Sequence, residues 1–243
     1  GGERDLWDDQ KYFIDAICGI VREKNVDAVL LAGDVYDRSV PAASAIGLYD
    51  YAMNRLCGEL GVKVLTIAGN HDSAERLASC AGLLDKAGLY LQGAARREPR
   101  VVEFADSQVF FLPWMTEEKI KSLYPEERDG ITDLTEAYRV AVNHMREKFI
   151  PGKHHLLLSH AFITNAETST SDRAAEIGFA TQVPASVFEG FDYVALGHIH
   201  KPQQVNPFIR YSGSPMAYSF GREERQEKSV TLAQASGMSI DAA

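Results

Sequence analysis

The 243 residues contain seven histidines, at positions 71, 144, 154, 155, 160, 198 and 200, and four of them fall within a set of four short motifs. The motifs are Gly33-Asp34-Val35-Tyr36-Asp37-Arg38, Gly69-Asn70-His71-Asp72, Ser159-His160-Ala161 and Gly197-His198-Ile199-His200. Carboxylate, amide oxygen and imidazole together make a donor set for a hard-to-borderline divalent ion such as Mn²⁺, Fe²⁺ or Zn²⁺. Calcium would require more carboxylates and fewer imidazoles. In Gly-His-x-His the two imidazoles fall on one side of an extended segment, a chelating arrangement. Each motif alone has a plainer explanation. A strand-end Asp is commonly a cap, a lone His a satisfied core or surface residue, and Gly-Asn-His-Asp a turn, since Gly, Asn and Asp tolerate left-handed backbone. Four such motifs in one chain outweigh those explanations.

The elements before the motifs must bring them together. Each motif follows an apolar run that reads as a strand, over residues 26–32, 62–67, 154–158 and 193–196. In layered α/β folds ligands gather at the carboxyl ends of strands, because the loops there converge on one crevice. Four strand-end loops carrying Asp, Asn and His are therefore expected to meet. Helices are expected over residues 7–24, 41–60, 73–86 and 134–149; in the second, Ile46, Tyr49, Met53, Leu56 and Leu60 step by three and four. Residues 101–104 and 108–112 read as a hairpin, and residues 209–211 and 229–232 as further strands. Residues 164–181 are polar and aperiodic, which predicts a surface loop. Strand–helix alternation early and hairpin strands late predict one domain over residues 1–243, a layered sheet with helices outside it.

Composition sets broad limits. Lys+Arg number 25 against 34 Asp+Glu, a net charge of −9, with 45% apolar and 24% charged residues, an ordinary globular balance. No apolar run approaches the ~18–20 residues of a membrane helix. Cys18, Cys57 and Cys80 match no zinc or redox pattern, which points to a reducing cytoplasm and away from a disulfide scaffold. The acidic balance argues against a DNA coat protein, whose affinity comes from Lys and Arg. The basic stretches at 96–100, 119–121 and 222–228 are interleaved with Glu and read as solvated surface. Lys153-His154-His155 reads as a strand entrance, His144 as a helix-surface residue and Trp114 as packing beneath the cleft. The chain opens Gly1-Gly2-Glu3 without an initiator Met, so further residues are expected upstream.

In this order, Gly-Asp-x-x-Asp-Arg, Gly-Asn-His-Asp, a strand-end His and Gly-His-x-His resemble the calcineurin-like metallophosphoesterase superfamily. Longer stretches at 32–41, 112–114, 159–162, 189–200 and 211–215 narrow the likeness to its bacterial DNA-nuclease members. The resemblance implies a four-layer α/β/β/α sandwich and two divalent ions, usually Mn²⁺. It also implies hydrolysis of DNA phosphodiesters by activated water, an ABC-type ATPase subunit as partner in DNA repair and recombination, a homodimer, and no membrane. Position by position it makes Asp34 the bridge between two ions, with Asn70, His160 and His198 completing one and His200 holding the other. His71 would stand beside the phosphate, polarising it or protonating the leaving oxygen, with Asp37 as its orienting partner and Arg38 as a phosphate contact.

Elementary chemistry supports these roles. A phosphodiester is anionic and repels a nucleophile, and two cations address both that repulsion and the activation of water. One departure stands out. The superfamily pattern begins with a strand ending in Asp-x-His, and no Asp-x-His precedes Asp34 here. The fold is therefore expected without its first strand, with one ion held firmly and the other only by Asp34 and His200. The DNA-capping and ATPase-binding regions of such nucleases would lie beyond residue 243. Two alternatives stay open: a phosphoesterase acting on nucleotides or phosphoproteins, and a catalytically incomplete module that docks an ATPase.

Overall fold

The apolar runs become strands of two sheets in the computed structural model, which describes residues 6–168, 182–218, 225–235 and 239–242. Helix α1 (Trp7–Lys24) leads into β1 (Ala28–Ala32), α2 (Ala43–Met53) into β2 (Lys63–Ile67), and the short α3 (Ala74–Leu77) and α4 (Ala81–Leu84) into β3 (Leu89–Gln92). These strands form a parallel sheet in the order β1-β2-β3. Next come β4 (Val101–Glu103), β5 (Ser107–Leu112), α5 (Glu117–Leu123), α6 (Leu134–Arg146) and β6 (His154–His160). The short pair β7 (Phe162–Ile163) and β8 (Gln182–Val183) precedes β9 (Tyr193–Gly197), β10 (Gln203–Asn206) and β11 (Ile209–Tyr211). The second sheet runs β10-β11-β9-β6-β5-β4, parallel through β11, β9, β6 and β5 and antiparallel at both edges. A last hairpin pairs β12 (Thr231–Gln234) with β13 (Ser239–Ala242).

Three buried clusters show the four layers. Between the sheets lie Leu65, Ile67, Val109, Phe111, Leu156, Leu158 and Tyr193. Outside the small sheet, Cys18, Val21, Ala52, Met53 and Leu56 of the first two helical segments pack on Val64, Leu89 and Leu91. Outside the large sheet, Tyr138, Ala141, Val142 and Met145 of α6 pack on Phe110, Leu112, Leu157 and Val194. Alternate residues of β5 thus serve different layers, Phe110 outward and Phe111 inward, as the two-residue strand period requires. Side chains at the helix starts satisfy orphan amides: Thr116 accepts from Lys119 N at α5, and Asp133 from Glu136 N at α6.

Several expectations are corrected in detail. The helix expected over 73–86 is broken at Cys80, whose φ of 58° no right-handed helix accommodates, so α3 and α4 are single turns. The helix from Pro41 changes to a π turn over Asn54–Glu59. Strand β3 and helix α5 were not anticipated; β3 is only four residues long, and α5 holds a single buried residue, Ile120. His144 is not a plain surface residue: its ring stacks on Tyr124 at 4.3 Å and its Nε2 lies 2.6 Å from Glu127. The expected loop over 164–181 lies mostly outside the described residues, as do residues 222–224 of the basic stretch at 222–228. Among the described residues no strand pairs with the outer edge of β1, and no helix is long and apolar enough to cross a membrane.

The inter-sheet layer holds the two halves of the fold in register. Phe111 is fully buried there, so Phe111→Ala should lower unfolding stability by about 3–5 kcal/mol, read as a lower urea midpoint.

Candidate metal centre

The four motifs meet because parallel strands from both sheets end on the same side. Strand β1 ends at Ala32, β2 at Ile67, β6 at His160 and β9 at Gly197. Glycine lets them approach. A Cβ on Gly33 would sit 2.4 Å from His160 Nδ1, one on Gly69 2.1 Å from Asp34 Oδ1, and one on Gly197 1.8 Å from the Ala32 carbonyl oxygen. The backbone is also strained here: Asp34 has φ 50° and His198 φ 103°. Such conformations cost about 1–3 kcal/mol each and persist only where the surroundings over-determine them.

His160 is fully buried. Its Nδ1 donates to the Ala32 carbonyl at 2.7 Å, which turns Nε2 toward the cluster. There Nε2 lies 2.9 Å from Asn70 Oδ1, 3.3 Å from Asp34 Oδ2 and 3.3 Å from His198 Nδ1. His198 Nδ1 is itself 3.0 Å from Asn70 Oδ1. Asp34, His160 and His198 offer donor atoms that all lie within 4.8 Å of one another. Four lone-pair-bearing atoms thus face each other with too few protons to pair them. A divalent cation resolves that conflict, and a set of one carboxylate, one amide oxygen and two imidazoles without thiolate suits a borderline or hard ion.

The electrostatics agree. Burial works against the Asp34 carboxylate, but the charge and hydrogen bond of His160 and the His71 amide outweigh it and hold the group down at about 2. Burial, reinforced by His160, pushes His198 down to about 3, so its ring is neutral and able to ligate. Burial also disfavours charge on His160, yet Asp34 more than offsets this and the ring is raised, so Asp34 favours on Nε2 a proton that a cation must displace to bind there.

The remaining expected residues are nearby, with distinct roles. The His71 amide donates to Asp34 Oδ1 at 3.0 Å, and its ring Nδ1 lies 2.9 Å from the Asp37 main-chain carbonyl. Asp37 therefore touches the ring through its backbone, while its carboxylate accepts from the exposed Arg38 at 3.2 Å. His200 falls outside the three-residue cluster; its ring packs at 6.1 Å from Tyr218, and its carbonyl accepts from Ser214 N and Lys228 Nζ. The Cys thiols are all free and take no part in the cluster.

Two residues were missed or misread in the sequence. Asp72 accepts from Val35 N at 3.1 Å, Tyr36 N at 3.0 Å and Gly69 N at 2.9 Å, tying the Asp34 loop to the Asn70 loop. Its place directly after Gly-Asn-His was the available signal. Trp114, expected as packing, stands against His198 and His160.

A two-sheet α/β fold with this donor set at its strand ends defines a metal-dependent phosphoesterase. The family profile for calcineurin-like phosphoesterases matches residues 5–202, and the chain belongs to that family. It is similar to the SbcD subunit of nuclease SbcCD from Staphylococcus epidermidis, with 32% identity over 226 residues, 93% of this chain and 60% of the relative. The chain thus spans less than two thirds of the length of that protein.

If Asp72 clamps two ligand loops together, Asp72→Ala should weaken divalent-metal affinity by about 10–100-fold in calorimetry. Asp37→Ala, which keeps the main-chain carbonyl facing His71, should leave that affinity nearly unchanged.

Proposed function

We propose that this chain is the catalytic part of a Mn²⁺-dependent DNA nuclease that hydrolyses phosphodiester bonds, acting in the cytoplasm beside an SbcC-type ABC ATPase in DNA repair and recombination. The likeness to the SbcD subunit of nuclease SbcCD, running through 93% of the chain, supports the substrate and the partner. The observation that supports the chemistry is the hydrogen bond from the His71 amide to Asp34, which ties the residue carrying that imidazole to a proposed ligand.

Asp34, Asn70, His160 and His198 would hold the ion, which supplies Lewis-acid neutralisation of an anionic phosphodiester. A carbonyl can only accept, so the Asp37 contact calls for a proton on His71 Nδ1. The same ring, when protonated, carries a second proton on Nε2. Donation of that proton to the departing oxygen returns His71 to the neutral Nδ1–H form without breaking the contact to Asp37. His71 thus acts as the general acid and Asp37 orients it. Arg38, exposed at the rim beside Asp37, would meet a phosphate of the same strand.

The reading is tested on purified protein supplied with Mn²⁺ and offered DNA, mononucleotides and a phosphopeptide. DNA is expected to be cleaved, and turnover of nucleotide or phosphopeptide alone would assign a different phosphoesterase. His71→Ala should abolish cleavage, a loss of at least ~10²-fold, with metal content unchanged; metal lost along with activity would make His71 a ligand. Elemental analysis of these 243 residues should give one tightly held ion, because among the described residues a single cluster, Asp34, His160 and His198, brings such donor atoms together.

A further inference from the structure

We propose that Trp114 is a positioning residue for the metal ligand His198, a stacked indole doing for this ring what a hydrogen bond does for His160. The inference rests on the assignment of Asp34, Asn70, His160 and His198 as a metal centre. Metal-bound histidines are normally oriented through the ring nitrogen that does not face the ion. His160 follows that rule, with Nδ1 on the Ala32 carbonyl at 2.7 Å. His198 does not: both of its hydrogen-bond contacts, to Asn70 and His160, run through Nδ1, the atom that faces the cluster. Among the described residues its Nε2 has no protein partner. Its backbone is held at φ 103°, where a side chain is not oriented by ordinary local preference.

The indole of Trp114 fills that gap. It stacks on His198 in an offset arrangement, centroids 5.4 Å apart and planes 20° from parallel, and meets His160 edge-on at 6.1 Å. Phe162 adds a tilted contact to His198 at 5.8 Å. Trp114 is itself anchored: buried Pro113 and Met115 flank it, and its amide donates at 3.0 Å to the carbonyl of Ala68, two residues before Asn70. The orienting indole and the amide ligand Asn70 therefore share one pinned segment. A stacked aromatic pair of this geometry is directional, unlike simple hydrophobic filler.

The chain has two tryptophans, so Trp7→Phe leaves Trp114 as the sole tryptophan, excited selectively on the long-wavelength edge where the tyrosines do not absorb. In that background, Mn²⁺ titration should change the emission with the same midpoint that calorimetry gives for metal binding. Trp114→Leu should weaken Mn²⁺ affinity about tenfold, and Trp114→Phe, which keeps a stacking ring, should return it to within about threefold of the parent. Equal affinity in the parent and the Leu variant overturns the proposal. So does a Phe variant as weak as Leu, since volume and not stacking would then matter. Should the Leu variant fail to fold, emission unmoved by calorimetrically observed binding overturns it instead. Absence of Mn²⁺ binding with Trp114 intact overturns the metal-centre assignment itself, a result distinct from failure of the Trp114 role.

Discussion

Three electron-rich atoms, from Asp34, Asn70 and His198, lie within hydrogen-bond reach of Nε2 of the fully buried His160 ring, and much of the fold serves to keep them there. Atoms of that kind repel unless positive charge lies between them. The protein meets the problem by rigidity. Gly197 lets the two sheets close to backbone contact at Ala32, Gly33 makes room for the His160 ring and Gly69 for Asp34, Asp72 binds three amides across two loops, and the Tyr138 hydroxyl donates to the His160 carbonyl. Preorganisation of this kind moves the cost of assembling the centre from ion binding to folding, where the inter-sheet core offsets it.

The electrostatics of the centre are local. A net charge of −9 would by itself oppose an anionic polymer. Yet three cations of the basic stretches at 96–100 and 119–121 are paired at home, Arg97 with Glu126, Arg100 with Asp85 and Lys121 with Glu117 and Glu118. The field that a phosphate would meet is set by bound divalent charge at the strand ends, which a count of side chains does not include.

Much of this was legible in the sequence. The motifs are contiguous and their order and strand-end position are local properties, so the residues that the structure brings together, Asp34, Asn70, His160 and His198, could be singled out as candidates without coordinates. The layers were legible for a similar reason, since the apolar runs of β1, β2, β6 and β9 and the stripe of α6 carry their burial in their spacing. What stayed hidden depends on distance between segments. Asp72 looks like one more turn residue until Val35 and Tyr36 are seen to donate to it. The Asp37 contact reaches His71 through a carbonyl, which carries no residue-type signature. The helix expected over 73–86 failed because a single left-handed residue, Cys80, interrupts an otherwise suitable pattern.

Most of the left-handed residues fall into two groups with different meanings. Gly33, Asp34 and His198 crowd the carboxyl ends of the strands, whereas Asn25, Gly61, Gly88, Gly152 and Gly190 turn the chain just before β1, β2, β3, β6 and β9. Around Gly61 and Gly152 an added Cβ would meet nothing within 4 Å. One pole of the molecule is thus crowded to the limit, while the other is made of roomy reversals that carry no chemistry. A label, a tether to a surface or an inserted peptide belongs at the roomy pole, where the chain can be lengthened with the whole depth of both sheets between the insertion and the ion.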